Sequence, residues 1–180
     1  MKTKLISFIA LIALMFSVLS CKNDKKEAQK EEKSDESLHV IISAIVPKDD
    51  SFQIYWNEEG SDNFTAEKFV NIDIKGNEKP QDLDFKIPEQ AMPKQLRFDL
   101  GSNKGQGTIK INSFKLKYYD KVFQCQAQDF WKYFGNNTSI DYDKKTATVK
   151  FITNLPEGFD PIFGGTSNIP VELEKLYKNK

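Results

Sequence analysis

Apolar and polar residues alternate along most of the chain from Leu38 onward, and this period of two limits the fold more than any other feature. Successive side chains of a β-strand point to opposite faces, so the alternation predicts strands with one buried and one solvated face. Four such strands carry their apolar faces at Phe52, Ile54 and Trp56; at Val70, Ile72 and Ile74; at Leu83, Phe85 and Ile87; and at Ala147, Val149 and Phe151. A fifth is predicted from Val122 to Cys125, and the run from Val40 to Val46 predicts a strand buried on both faces.

A hairpin is predicted where Leu96, Phe98 and Leu100 alternate toward Gly101 and the alternation resumes at Ile109 after a glycine-bearing loop. The apolar face then continues one residue out of step at Phe114, Leu116 and Tyr118. A phase slip of this kind indicates a bulge or a crossing between sheets, here at residues 112–113.

One short helix is predicted near residue 130, because Ala127, Phe130, Trp131 and Phe134 follow the spacing of a helical face and Gly135 can end it. This pattern places Trp131 in the core. The tail from Ile169 fits either a strand or a helix, and the pattern does not decide between them.

The fold class that follows is all-β, with eight or nine short strands in two antiparallel sheets packed as a jelly-roll-like sandwich. A closed barrel is the alternative. Residues 38–180 are enough for one domain with one sizeable core, to which 12 of the 14 phenylalanines of the chain can contribute.

Residues 93–101 (PKQLRFDLG), with residues 109–116 (IKINSFKL) after the loop, resemble a hairpin pattern of carbohydrate-binding-module-like β-sandwiches. The resemblance covers about twenty-five residues, and it implies a sandwich fold. It transfers no binding residue, because the residues that make up the pattern are structural.

The first 21 residues have the pattern of a secretory signal, with Lys2 and Lys4 followed by an apolar run that ends at Leu19. The run is shorter than the roughly twenty residues of a membrane-spanning helix. Residues 18–21 (VLSC) resemble the lipobox of bacterial lipoproteins, which implies cleavage before Cys21 and attachment of lipid to its thiol. The alternative is an ordinary cleaved signal that happens to end near a cysteine.

Residues 22–37 hold charges of both signs and no large apolar group, so we expect a flexible tether between the lipid and the domain. Lys22, and not aspartate, follows Cys21, and the enteric sorting pattern then implies the outer membrane. The segment also resembles the surface-export tethers of Bacteroidota lipoproteins. The expected location is therefore the cell envelope, with the protein held at the membrane by lipidated Cys21.

Charge and cysteine content argue against nucleic-acid binding and against an internal disulfide. Removal of residues 1–21 takes two of the 26 basic side chains, which leaves 24 against 26 acidic ones. Arg97 is the only arginine, so the bidentate contacts typical of nucleic-acid binding are not expected. With Cys21 lipidated, Cys125 has no cysteine with which to form an internal disulfide.

Catalytic and metal sites find little support in the residue pattern. A nucleophilic set would need His39, the sole histidine, beside a group such as Cys125, which fits better as a small buried residue. No zinc site or other cofactor is expected, although Asp49 with Asp50, or Asp141 with Asp143, offers oxygen ligands for a structural calcium ion. Three pairs of charged residues fit either glycoside hydrolysis or a merely solvated face: Asp82 with Asp84, Arg97 with Asp99, and Glu58 with Glu59.

Tyrosines are the candidate ligand-stacking residues. In the adjacent pairs Tyr55-Trp56 and Tyr118-Tyr119, the strand phase places Trp56 and Tyr118 inside and Tyr55 and Tyr119 outside. Tyr133 is expected on a rim formed by residues 131–139. An exposed ring on a sheet can stack on a sugar, although tyrosine also favours strands for structural reasons alone.

Three functions remain open for this chain. The first is a non-catalytic interaction subunit that docks on an envelope complex through a sheet face or edge. The second is a glycan-binding sandwich, and the third is a carboxylate-based glycoside hydrolase.

Overall fold

Two antiparallel β-sheets pack against each other in the computed structural model, which describes residues 35–178. The predicted all-β, two-sheet sandwich is confirmed. The predictions for the signal peptide, for lipidation at Cys21 and for the tether up to residue 34 lie outside the described residues.

The described residues contain eleven strands, against the eight or nine expected from the alternation. The six-stranded sheet has the order β4-β1-β6-β10-β9, with β7 also paired to β6. Its strands are β1 (Leu38–Val46), β4 (Asn77–Ile87), β6 (Ile109–Tyr118), β7 (Lys121–Gln126), β9 (Ile140–Asp143) and β10 (Thr148–Phe151). The five-stranded sheet has the order β3-β2-β5-β11-β8 and contains β2 (Asp50–Asn57), β3 (Phe69–Ile74), β5 (Gln95–Asp99), β8 (Phe134–Asn136) and β11 (Ile162–Gly165).

Phenylalanines from both sheets meet in the core, as the apolar faces of the strands predict. The Phe98 ring of β5 lies 5.7 Å from Phe52 and 6.4 Å from Phe163, its neighbours in the same sheet. It also lies 5.9 Å from Phe85 of β4, across the sandwich. All four rings are buried, and each contributes about 1.5–3 kcal/mol by leaving water.

Strand β1 is buried on one face only, so the prediction of a strand buried on both faces is wrong. The residues from Leu38 to Val46 alternate between buried and half-buried, because the second face of this sheet is open to solvent. Ile41 is half-buried on that outer face, where its partners in register are Asp84 of β4 and Lys115 of β6.

Strands β5 and β6 do not form the predicted hairpin, because β5 pairs with β2 and β11 while β6 pairs with β1, β7 and β10. The loop between them passes from one sheet to the other. It is tied to the β1–β2 connection, where Gln106 accepts a hydrogen bond from Lys48 N and Asn103 donates to Asp49 O. Alternation within each strand is the same in a hairpin and in a crossing, so it could not distinguish them.

The predicted bulge is confirmed in β6. Ser43 pairs with Ser113 and Ala44 with Ile111, which leaves Asn112 as the extra residue. The inserted residue explains why the apolar face continues at Phe114 out of phase with Ile111.

A 3-10 helix at Ala127–Lys132 replaces the predicted α-helical turns, and Phe134 already belongs to β8. In a 3-10 helix residues i and i+3 share a face, so Ala127 lies beside the buried Phe130 and the next residue turns outward. Trp131 is accordingly 40% exposed, with Lys144 Nζ 4.6 Å from its ring centroid, and its placement in the core was wrong.

The tail forms the α-helix α1 (Asn168–Tyr177), which settles the alternative that the sequence left open. Ile169, Leu173 and Leu176 form its buried face, whereas Val171 is 47% exposed. Pro170 fits in the first turn, where backbone N–H groups have no helical partner. Among residues 35–178 no helix combines the length and the apolar character that crossing a bilayer requires.

Candidate functional site

The three tyrosines predicted to stack on a ligand lie in three separate places. Tyr55 is on the outer face of the five-stranded sheet, and Tyr119 is in the turn between β6 and β7. Tyr133 follows the 3-10 helix, and its half-buried ring packs 4.9 Å from Phe123 and 6.0 Å from Phe114. The structure therefore does not assemble them into one binding surface.

Tyr55 belongs to a row of residues that crosses the whole outer face of the five-stranded sheet. The strand register aligns Phe69, Tyr55, Arg97, Gly164 and Gly135, one from each strand, and we call this row the glycine platform. The Tyr55 ring stacks on Phe69 at 5.2 Å, and the Arg97 guanidinium carbon lies 4.3 Å from the Tyr55 centroid. Both neighbours of Tyr55 in the row thus contact its ring.

The other half of the glycine platform has no side chains. A Cβ added at Gly164 or Gly135 would meet nothing within 4 Å, and neither residue has a positive φ. Neither conformation nor packing therefore requires glycine there. The adjacent Gly165 differs, because its Cβ would lie 2.3 Å from Gln95 Oε1 and 2.5 Å from Leu96 O. Glycine inside a strand weakens it and marks places where a ligand or another backbone approaches closely.

Arg97 borders the bare half of the platform and is fixed in position. Its Nε and Nη2 donate to the two oxygens of Asp99 at 2.8 and 2.7 Å, and the Phe64 ring centroid lies 5.3 Å from its guanidinium carbon. Burial raises the pKa of Asp99, against the effect of Arg97, and the charge of Asp160 raises it further. With Asp99 ionised, the pair is electrically balanced and Asp160 adds negative charge, so this surface does not favour an anion.

A second candidate is a pocket of about 340 Å³ at the start of β1, lined by Asp35, Ser37, His39, Lys117, Tyr119 and Asp120; we call it the N-terminal pocket. His39 and Lys117 are partners in register on the outer face of the six-stranded sheet. Asp35 accepts from Lys86 Nζ at 2.9 Å and from Ser37 N at 3.0 Å. The hydrogen bond from Lys86, followed by that from Ser37 N, holds the pKa of Asp35 well below its usual range.

Two residues of the N-terminal pocket are locally unusual. Ser37 is 1% exposed, and its buried Oγ makes no well-formed hydrogen bond to a described residue, although it lies near enough to the Asp35 carboxyl to lower the pKa of that group slightly. Tyr119 is the first residue of the two-residue β6–β7 turn and has a φ of 55°, a position that glycine and asparagine usually occupy. Asp35 and Ser37, which the sequence assigned to the charged tether, thus line this pocket.

The described residues around His39 and Cys125 do not form a nucleophilic set. His39 Nδ1 lies 2.9 Å from Asp84 and Nε2 lies 3.0 Å from Asp35, so both ring nitrogens already face carboxylates. Cys125 is on β7, separated from β1 by β6, and it points into the core. Burial raises the pKa of its thiol to about 11.

In each charged pair considered for glycoside hydrolysis, one carboxylate contacts a nitrogen-bearing side chain. Asp84 contacts His39, Asp99 contacts Arg97, and Glu58 accepts from Lys68 Nζ at 2.9 Å.

Three of the four aspartates considered as calcium ligands, all except Asp141, accept hydrogen bonds from N–H groups. Asp49 accepts from Gly76 N and Lys75 Nζ, and Asp50 accepts from Ser51 N. Asp143 accepts from Lys145 N. Across residues 35–178, no cluster of three or more histidine, cysteine or acidic side chains is arranged to hold a metal ion.

Sequence reasoning missed the residues that distinguish both surfaces, namely Gly164, Gly135 and Ser37. The available signal for Gly164 was the Gly-Gly pair at residues 164–165, which directly follows the apolar residues Ile162 and Phe163. No protein-family model, curated protein or solved structure matches this chain.

Proposed function

We propose that this chain is a lipid-anchored protein of the bacterial cell envelope, held at the outer membrane through Cys21, that acts without catalysis as an interaction subunit of an envelope complex. The glycine platform is its docking surface. The observation that carries this proposal is the pair Gly164 and Gly135, which lie side by side on a sheet face with open space above them and no structural need for glycine.

The occupant that fits the platform best is an uncharged protein surface that places an apolar or aromatic side chain over the two glycines. Arg97 is already paired with Asp99, and its remaining N–H groups donate to no described residue. A main-chain carbonyl of the partner can accept from them. The glycine platform also contains a tyrosine and an arginine, two residue types that often dominate the binding energy at protein interfaces.

Glycan binding is the alternative, and this face supports it less well. Sugar stacking needs an open ring face, whereas the Tyr55 ring is flanked by Phe69 and Arg97. In the hydrolase alternative, one carboxylate of each candidate pair is already engaged by a histidine, arginine or lysine side chain.

Site-specific photo-crosslinking in cells tests the docking surface. A benzophenone amino acid replaces Phe69, at one end of the platform, or Val122, which is 54% exposed on the outer face of the other sheet. We expect one defined adduct from position 69 and none from position 122. Adding Gly164→Gln should reduce the yield of that adduct roughly tenfold, because the new side chain covers the bare half of the glycine platform. The matched Ser113→Gln on the opposite sheet should leave the yield unchanged.

Equal cross-linking from both positions, or an adduct that Gly164→Gln does not reduce, contradicts the proposal. The anchor is tested separately by metabolic labelling with a palmitate analogue, which we expect in the natural chain and not in Cys21→Ala.

A further inference from the structure

Strand β3 forms one edge of the five-stranded sheet, because it pairs with β2 on one side and with no strand of residues 35–178 on the other. We infer that this edge binds an extended segment of a partner protein, which adds a sixth strand to the sheet through main-chain hydrogen bonds. The inference goes beyond docking on the glycine platform, since it concerns main-chain groups at the edge of the sheet and not side chains on its face.

The main-chain groups of every second residue of β3 point away from the sheet. Trp56 N donates to Lys68 O at 3.1 Å, so the β3 residues whose main chain faces β2 are those an even number of places after Lys68. The residues between them direct their N–H and C=O groups outward. These are Phe69, Asn71 and Asp73, and no hydrogen bond from another described residue reaches their main-chain groups.

The margin of the core beside β3 is only partly covered. Val70 and Ile72 share the inner face with their partners in register, Ile54 and Phe52 of β2. The two β2 residues are fully buried, whereas Val70 and Ile72 are half-buried because no strand follows β3. An added strand can cover this margin if alternate side chains are apolar and point inward, with polar side chains on the outer face.

The β4 edge of the other sheet shows how this fold protects an edge that stays unpaired. Proline and charged side chains discourage an edge strand from pairing with another chain. β4 contains one proline and five charged residues, namely Pro80, Glu78, Lys79, Asp82, Asp84 and Lys86. β3 has no proline and no lysine, Asp73 is its only charged residue, and Phe69 is 37% exposed. The β3 edge thus lacks the protection that β4 carries.

A second copy of this chain suits the edge less well than a different protein. Antiparallel self-pairing that engages all three outward residues is centred on Asn71. It places the Asp73 carboxylate of one copy directly beside the Phe69 ring of the other, where the carboxylate loses water without gaining a partner. A strand of another protein can instead place an uncharged side chain opposite each of these residues.

A synthetic peptide tests the inference on the full lipidated chain in detergent. The probe is acetyl-Lys-Thr-Val-Thr-Ile-Thr-Val-Thr-Lys-amide, in which polar and apolar residues alternate. In ¹H–¹⁵N NMR spectra we expect the amides of Phe69, Asn71 and Asp73 to shift and to become protected from hydrogen exchange. The expected Kd is roughly 0.1–1 mM, because ordering a free peptide costs much of the interaction energy.

Two N-methylated forms of the probe distinguish main-chain pairing from side-chain contact. With its valines and isoleucine directed inward, the probe directs the N–H groups of its threonines toward β3 and those of its valines away from it. N-methylation of two threonines should therefore weaken binding at least about tenfold, whereas N-methylation of the two valines should change the Kd by less than about threefold.

A proline substitution locates the binding edge. Asn71→Pro removes an outward N–H group and leaves the ladder between β3 and β2 in place, so the variant should fold. It should weaken binding of the probe roughly tenfold. Gln124→Pro is the matched control on β7, an edge strand of the other sheet, and should bind as the natural chain does. Gly164→Gln should also leave this binding unchanged, so failure here and failure of the docking proposal are separate results.

The inference is overturned if the probe does not bind at about 5 mM, if the two methylated forms bind equally, or if Asn71→Pro binds as well as Gln124→Pro. It is also overturned if sedimentation shows a dimer that Asn71→Pro dissociates, because a second copy then occupies the edge.

Discussion

The outer faces of the two sheets carry very different side chains. On the six-stranded sheet, β4 carries Asp84 and Lys86 on one side of β1, and β6 carries Lys115 and Lys117 on the other side. These charges suit a solvated face. On the five-stranded sheet, one half holds Phe69, Tyr55 and Arg97 and the other half is bare at Gly164 and Gly135. A stretch of sheet without side chains can thus mark a surface as clearly as aromatic side chains do.

The largest change in the free energy of unfolding should come from substituting one of the two adjacent glycines of β11, and not the other. We expect Gly165→Ala to lower the free energy of unfolding by about 2 kcal/mol, because its Cβ would lie 2.5 Å from the Leu96 carbonyl oxygen. Gly164→Ala should leave stability unchanged or slightly raised, since its Cβ meets nothing within 4 Å. Urea unfolding followed by tryptophan fluorescence measures the stability of both variants. Equal destabilisation would mean that Gly164, like Gly165, is required by packing, which contradicts the argument for the glycine platform.

Breaking an ion pair should cost more stability on the face of the five-stranded sheet than on the face of the six-stranded sheet. Arg97 and Asp99 have side chains that are only 26% and 13% exposed, whereas those of Lys86 and Asp35 are 55% and 41% exposed. Arg97→Met leaves a half-buried carboxylate without its cation, so we expect a loss of about 1–2 kcal/mol at pH 7. Lys86→Met should cause no measurable change, as is common for exposed pairs.

The cost of Arg97→Met should shrink on acidification. Burial raises the folded-state pKa of Asp99 above its unfolded value, so the stability linked to this group is present at low pH and lost as the pH rises through that pKa. Removal of Arg97 raises the folded-state pKa further, because Arg97 favours the ionised form. The variant and the natural chain should therefore converge as the pH falls through the natural pKa of Asp99. A cost independent of pH would assign the effect of Arg97 to packing on Tyr55 alone.

The strands and their buried faces followed from the sequence because alternation depends only on local geometry. Trp56 and Tyr118 are buried as the phase requires, and the bulge at Asn112 was detectable as a slip in that phase. Which strands pair with each other could not be predicted from this local pattern. The loop after Gly101 looked like a hairpin, but its hydrogen bonds to Lys48 and Asp49 belong to contacts distant in sequence.

The candidate surfaces were predicted only in part. The alternation placed Tyr55 and Tyr119 on outer faces, yet neither the stacking of Phe69 and Arg97 around Tyr55 nor the positive φ of Tyr119 leaves a sequence signal. Ser37 was assigned to the tether because its neighbours are charged. Its burial depends on the start of β1 lying beside the β6–β7 turn, which is a tertiary contact.

The smallest expected effect gives the sharpest test of the platform, because stability and binding should change in opposite directions. Gly135 is exposed in β8, at the edge of the sheet, and its Cβ position is open. Gly135→Thr should therefore raise the free energy of unfolding by about 0.5–1 kcal/mol, because glycine is unfavourable in strands and threonine favours them. The same variant should reduce cross-linking from position 69. A gain in stability with unchanged cross-linking would mean that the bare half of the sheet has no part in docking.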